Sequence, residues 1–438
     1  MAIARRLNAF LLKPAVKHGT MVMLDQSFLS IATFATGALL ARATTKQGYG
    51  IYVLALSLIL LFQGCHRALV NVPFTIYAPK LDDDERRAYQ GSALLHTLAL
   101  CALVSIGMLA VYFIDGASGD RGLVATDASA IFPLLGVVTS SFFLREFIRN
   151  ALLARLQVWA GVAVNLLATG LQLAVTAWLF AVHRLTLTNT FQVMAATSLL
   201  AAIYMIWSHR AEVQIVVSRV WRDFAHGLRT GKWVLVDVFG FMAASQAYPW
   251  LLLYFTDARQ VAVFGVCSAF AGLAGPFARG AGAYIQPRMV HGYENANTGN
   301  LSRLLGLSVR VMCVPYFAWL LVGSVFADQL VSLVYGHSYS GYAAVTTMLL
   351  VKTTIEGISS PLSHALQTLE RANVVTLGLG IGTIVTLGAG SILILQMGLE
   401  GAAIAAVASS LANALFKWVA LRRILRHPSP SVGPADPV

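Results

Sequence analysis

Apolar residues in this chain come in long blocks separated by short polar intervals. The blocks fall at about residues 20–41, 50–78, 90–114, 130–152, 160–182 and 188–208. Six more follow at about 231–254, 260–286, 303–326, 342–364, 373–396 and 400–421. Each is near the roughly 20 residues that a helix needs to cross about 30 Å of hydrocarbon. The pattern therefore predicts an all-α integral membrane protein with twelve transmembrane helices. The first block, "MVMLDQSFLSIATFATGALLAR", contains an acid, Asp25. It outlasts the roughly 7–15 apolar residues of a signal peptide, so Ala41-Arg42-Ala43 is read as part of an uncleaved span. The preceding "RRLNAFLLKPAVKH" is expected to be a basic interfacial helix.

Composition agrees with this reading. Of 438 residues, 57% are hydrophobic and 11% charged, and the mean hydropathy is +0.71. A soluble chain carries about a quarter charged residues. The net charge of +12 does not indicate nucleic acid, because no basic stretch is interleaved with exposed aromatics. The bases sort by side instead. With the N-terminus in the cytoplasm, inside segments hold about 22 Lys and Arg, with Arg145, Arg149 and Lys417 counted among them, and outside segments about 5. Positive loops resist translocation, so both termini are expected in the cytoplasm of a bacterial inner membrane. Cys65, Cys101, Cys267 and Cys313 lie in apolar segments with no C-x-x-C, which argues against disulfides and metal. No cofactor is expected. "GLRTGKW" is one residue short of a P-loop and lacks the following Ser or Thr, so an ATP site is not expected. Gly378-x-x-x-Gly382 is expected to allow close helix contact.

The two halves resemble each other. A shift of 212 residues lays "KHGTMVMLD" on "RTGKWVLVD", Gly19 on Gly231, Asp25 on Asp237 and Arg67 on Arg279. Six spans per repeat give both halves one orientation and a pseudo-two-fold axis along the membrane normal. The expected organisation is an N-lobe at 1–210, a cytoplasmic amphipathic linker at 211–230, a C-lobe at 231–425 and a disordered tail at 426–438. A polar cleft is expected between the lobes.

Charges inside spans are costly, at least about 2.5–3.5 kcal/mol on insertion scales, and so mark functional or paired positions. Arg67, Arg279, Arg310 and Lys352, with His66, are the candidates for attracting an anionic group. A guanidinium binds phosphate oxygens bidentately, so a diphosphate fits them. Asp25, Asp237 and Glu356 are the candidates for taking up a proton or Na+. The competing readings are structural. Asp25–Arg67 and Asp237–Arg279 can be ion pairs within their lobes, Lys352 and Glu356 can pair four residues apart, Arg310 can snorkel, and His66 can be a core histidine. Asn71, Asn165, Gln172 and Gln246 are read as buried amides that join helices.

Twelve spans in two lobes resemble the multidrug/oligosaccharidyl-lipid/polysaccharide (MOP) flippase superfamily. The same is true of "GYGIYVLALSLILLFQG", "VAVFGVCSAFAGLAGPFARG" and "GLEGAAIAAVASSLANALFKW". The resemblance implies a MATE-like fold and a transporter rather than an enzyme. Lipid-II flippases of that superfamily usually have fourteen spans, so twelve point to the polysaccharide branch, whose members flip O-antigen units. The implied substrate is a polyprenyl-diphosphate-linked oligosaccharide, moved by alternating access. A polysaccharide polymerase or export machinery, and membrane lipids, are the other implied partners. The surplus of bases in the spans favours this over an ion-coupled multidrug antiporter, in which a first-helix Asp like Asp25 serves ion coupling. Short outside loops argue against a membrane polymerase or ligase.

Overall fold

The computed structural model describes residues 14–117, 131–155 and 157–426, with the side chains of 14–20, 22–24, 26, 116, 117, 211, 279, 283, 284, 287 and 291–300 excepted. The expected tail and most of the expected interfacial helix lie outside these residues. All described elements are helices. The chain divides into two compact units, Met1–Phe239 and Gly240–Val438.

The first unit contains α1 (Pro14–Ala43), α2 (Lys46–His66), a π turn (Arg67–Asn71), α3 (Val72–Tyr77) and α4 (Asp83–Ala117). It continues with α5 (Ile131–Ala154), α6 (Val158–Ala181), α7 (Leu187–Ser208) and most of α8 (Val217–Ser245). The second contains α9 (Ala247–Phe255), α10 (Ala258–Ala271), α11 (Gly275–Val325) and α12 (Ala327–Tyr335). Then come α13 (Ala343–Thr368), α14 (Ala372–Leu387) and α15 (Ala389–Arg426), the last broken at Gly398, whose φ is +57°. Each expected span overlaps a helix. Among the described residues, eight segments are long and apolar enough to cross a membrane on length and composition, and Ser27–Ala43 and Ala372–Leu387 are shorter apolar helices.

Local chemistry sets the helix starts. Thr45, Thr186 and Asp257 are extended N-caps whose side chains accept from the amides of Gly48, Asn189 and Gln260. Asp82 accepts from the Glu85 amide, and the acids after it form the first turn of α4, where Asp83 pairs with Arg86. The π turn has its own cause. Pro73 has no amide hydrogen for the carbonyl four residues back, and its ring crowds that turn. The ladder widens there, and the Val72 amide reaches Arg67 O.

Within the first unit the third span (α4) packs on the fourth (α5), and the fourth on the sixth (α7). In the second unit the ninth span (end of α11) packs on the tenth (α13), and the tenth on the twelfth (α15). The sequence repeat is thus matched by a repeated packing order. Buried apolar clusters support each unit: Phe74, Phe147, Ala151 and Val164 in one, Met289, Leu301, Leu366 and Leu421 in the other. Gly378 and Gly382 let α14 approach α15 closely, since Cβ atoms there would meet Asn413 Oδ1 at 2.7 Å and Ser409 Oγ at 3.1 Å.

The expected linker differs from its reading as a separate surface segment. Its helix runs without a break into the seventh span as α8, and it is docked on the first unit. Ser92 donates to Asp223 at 2.7 Å, His96 meets Val220 O at 2.9 Å, and Tyr77 and Thr230 share a bond of 2.9 Å. Gly231 lies against the π turn, where a Cβ would stand 2.7 Å from Ala68 O. The compact division consequently falls after Phe239, not at the expected boundary of 231.

Candidate functional site

In the first unit α1, α5, α6 and α7 converge on a buried polar cluster. Asp25 on α1 is wholly buried. One of its oxygens accepts from Asn165 Nδ2 on α6 at 2.8 Å, and the other lies 3.2 Å from Arg149 on α5. Arg149 also pairs with Glu146 at 3.0 Å, one turn back. Arg145 on the same helix is buried, donates to Ser198 on α7 at 3.1 Å and lies over the Phe142 ring. Two arginines and two acids here sit in an apolar bundle, where each charge needs its partner.

This corrects two expectations. Asp25 pairs with Arg149, not with Arg67. The depth of the two residues explains it: Arg67 lies at the π turn and is exposed, whereas Asp25 points into the bundle of its own lobe. Arg145 and Arg149 also do not belong to a cytoplasmic segment. They lie within α5, buried among helices. Lys417, counted with the same segments, is buried in α15 and donates to Ser363 on α13 at 3.2 Å.

His66 is corrected as well. It is buried, stacked on Phe143 with ring centres 4.5 Å apart, and bonded to Thr97 at 3.2 Å and Asn71 at 3.4 Å. These contacts use both ring nitrogens, so His66 holds α2 to α4 and α5 and is removed from the group of anion-attracting residues.

In the second unit Lys352 pairs with Glu356 at 3.2 Å along α13, the structural alternative raised by their spacing. Glu356 also accepts from Ser410 on α15 at 3.0 Å. A second chain of bonds runs from Tyr248 through Thr386 and Ser409 to Gly382 O. Ser198 and Ser410 are 212 residues apart, the shift that relates the two halves. Each serves a charge on the helix of the neighbouring span, a base in the first unit and an acid in the second.

The remaining candidates stand apart. Arg67 and Arg310 are exposed and make no ion pair among the described residues. Asp237 is exposed on α8. Arg279 is on α11, with its side chain outside the described ones. At the end of α5, Arg155 bonds Gln90 at 2.8 Å and pairs with Glu212 at 2.5 Å. Burial pulls the Arg155 guanidinium down from its ordinary value, and the Glu212 carboxylate opposes that. Arg149 was the residue that sequence reasoning missed. Its signal was present: Arg145, Glu146 and Arg149 share one helical neighbourhood inside an apolar block.

Comparison with solved structures agrees on the fold. The chain resembles an inward-facing multidrug resistance MATE family transporter of the MOP superfamily, with a TM-score of 0.74 at 13% identity over 92% of this chain and 96% of that one. It resembles the lipid II flippase MurJ in an inward closed conformation, with a TM-score of 0.70 at 13% identity over 91% and 87%. A MOP superfamily transporter from Pyrococcus furiosus, described by the reverse polarity of its binding pocket, gives 0.63 at 13% identity over 94% and 96%. No family model and no curated protein matches the chain. The fold is that of the MOP transporters, and the protein is a multi-pass membrane protein.

Proposed function

We propose that the chain is a flippase of the bacterial inner membrane that carries a polyprenyl-diphosphate-linked oligosaccharide to the periplasmic face by alternating access. One observation carries the reading. Asp25 and Glu356 are already paired within their own units, by Arg149 and Lys352, whereas Arg67 and Arg310 are exposed without an acid. A transporter of cationic drugs needs the opposite balance, with acids and aromatic faces presented to the substrate. Arg67 is the candidate of the first unit for engaging the diphosphate, and Arg279, Arg310 and, when its pair with Glu356 opens, Lys352 are those of the second. Assembled surface polysaccharide is the product that a polymerase or export machinery draws from this step.

Ion coupling in this reading is competition for a carboxylate. A proton or Na+ that reaches Asp25 takes the place of Arg149 and frees a guanidinium inside the lobe. Asp237 and Glu356 are the corresponding acids of the second half and of α13. The runner-up is an ion-coupled multidrug antiporter of the same fold, favoured by Asp25 itself and by its amide partner Asn165.

Deletion of the gene distinguishes the two. The flippase reading expects surface polysaccharide to stop and dye efflux to stay unchanged. Complementation with Arg67→Ala or Arg279→Ala is expected to cut export at least about tenfold at equal protein level, the loss of a charge-assisted pair. Normal export from both variants removes the anion-binding role of these arginines.

A further inference from the structure

In the second unit α11, α13 and α15 leave an open groove of about 840 Å³. Its walls are apolar, with Leu305, Val309, Phe317, Ile358 and Leu415 along them, and Arg310 is set among these. Trp418 also lines it, and Arg422 lies over the Trp418 ring at 4.9 Å. Arg310 is exposed, and it makes no hydrogen bond or ion pair among the described residues. A furrow of this kind inside a membrane span is filled by hydrocarbon, and a lone guanidinium within it calls for an anion.

The depth of Arg310 narrows the choice of occupant. The apolar stretch of this span is Leu301–Val325. Arg303 lies at its edge, and Arg310 is seven residues deeper, about 10 Å at 1.5 Å per residue. A resting phospholipid keeps its phosphate at the surface, near the level of Arg303. A lipid whose head group travels through the bilayer brings a phosphate down to the level of Arg310 itself. We infer that this groove binds the lipid end of the substrate. The isoprenoid chain lies along Leu305, Phe317 and Leu415, and Arg310 holds a phosphate oxygen pair as the head group moves past. The inference rests on the flippase reading for the identity of the lipid. It adds a site carried by one unit alone.

The test uses the full chain in neutral phosphatidylcholine nanodiscs and a long-chain isoprenoid diphosphate as the probe. Binding to wild type is expected, resisting competition from phosphatidylglycerol and from inorganic diphosphate. Arg310→Gln and Ile358→Trp, which fills the groove, should each weaken binding about tenfold, while Arg310→Lys keeps most of it. Melting temperatures within a few degrees of wild type show that the variants are folded. Unchanged binding in both Arg310→Gln and Ile358→Trp overturns the inference. So does equal competition by phosphatidylglycerol, which makes this a resident-lipid site, or by inorganic diphosphate, which makes it a head-group site only. Leaflet crossing of a lipid-linked oligosaccharide is measured in parallel. Binding without crossing removes the flippase reading and leaves the groove, whereas crossing with unaltered binding in both variants does the reverse.

Discussion

Asp25 is a fully buried carboxylate, and its stability depends on Arg149. In a low-dielectric bundle the pair is worth keeping only as a pair, because removal of one member leaves the other buried and uncompensated. Arg149→Ala is therefore expected to destabilise the protein by about 3–5 kcal/mol. Asp25→Asn combined with Arg149→Gln should recover most of that loss. Unfolding midpoints of the purified protein in detergent check both, and equal midpoints for the single and double variants would contradict the pairing. At this scale the sequence revealed which residues were unusual but not whom they met. An acid in an apolar run stands out because such a position is expensive. Its partner lies 124 residues further on and on another helix, and no periodicity reports a contact of that range. His66 was ambiguous for the same reason: its neighbours Thr97 and Phe143 come from two other helices.

Elements were easier to read than contacts. Hydropathy marks a helix well when the surroundings are lipid, because every backbone group must then bond within the segment. It marks ends poorly when a helix continues out of the membrane. α8 is the example: the expected amphipathic stretch and the start of the expected seventh span form one rod, held to the first unit through Tyr77, Ser92, His96 and the contact at Gly231. Only a glycine fits at that contact. Gly231→Val is expected to lift the first half of α8 from the π turn and to speed amide exchange there at least tenfold, with α13 unaffected as an internal reference. Exchange at the wild-type rate would mean that the close approach to Ala68 has no role in docking. The π turn was not visible as a pattern, although Pro73 is its cause and was in plain view. α13 shows the opposite case. Lys352 and Glu356 lower its apolarity, and their pairing at 3.2 Å compensates for it.

At the scale of the molecule, duplication organises what the residues do. The same packing order recurs in both units, and serines 212 residues apart serve opposite charges. The fold was legible from the apolar blocks, and it matches a solved MOP transporter at 13% identity. The substrate was legible only as a charge balance. Reconstitution tests that balance most directly. Purified protein in liposomes is given a labelled polyprenyl-diphosphate-linked oligosaccharide on one leaflet, and its appearance on the other is timed. The account predicts crossing much faster than in empty liposomes, slowed at least about tenfold by Arg67→Ala. Crossing at the empty-liposome rate, together with uptake of a cationic dye by the same liposomes, would contradict it.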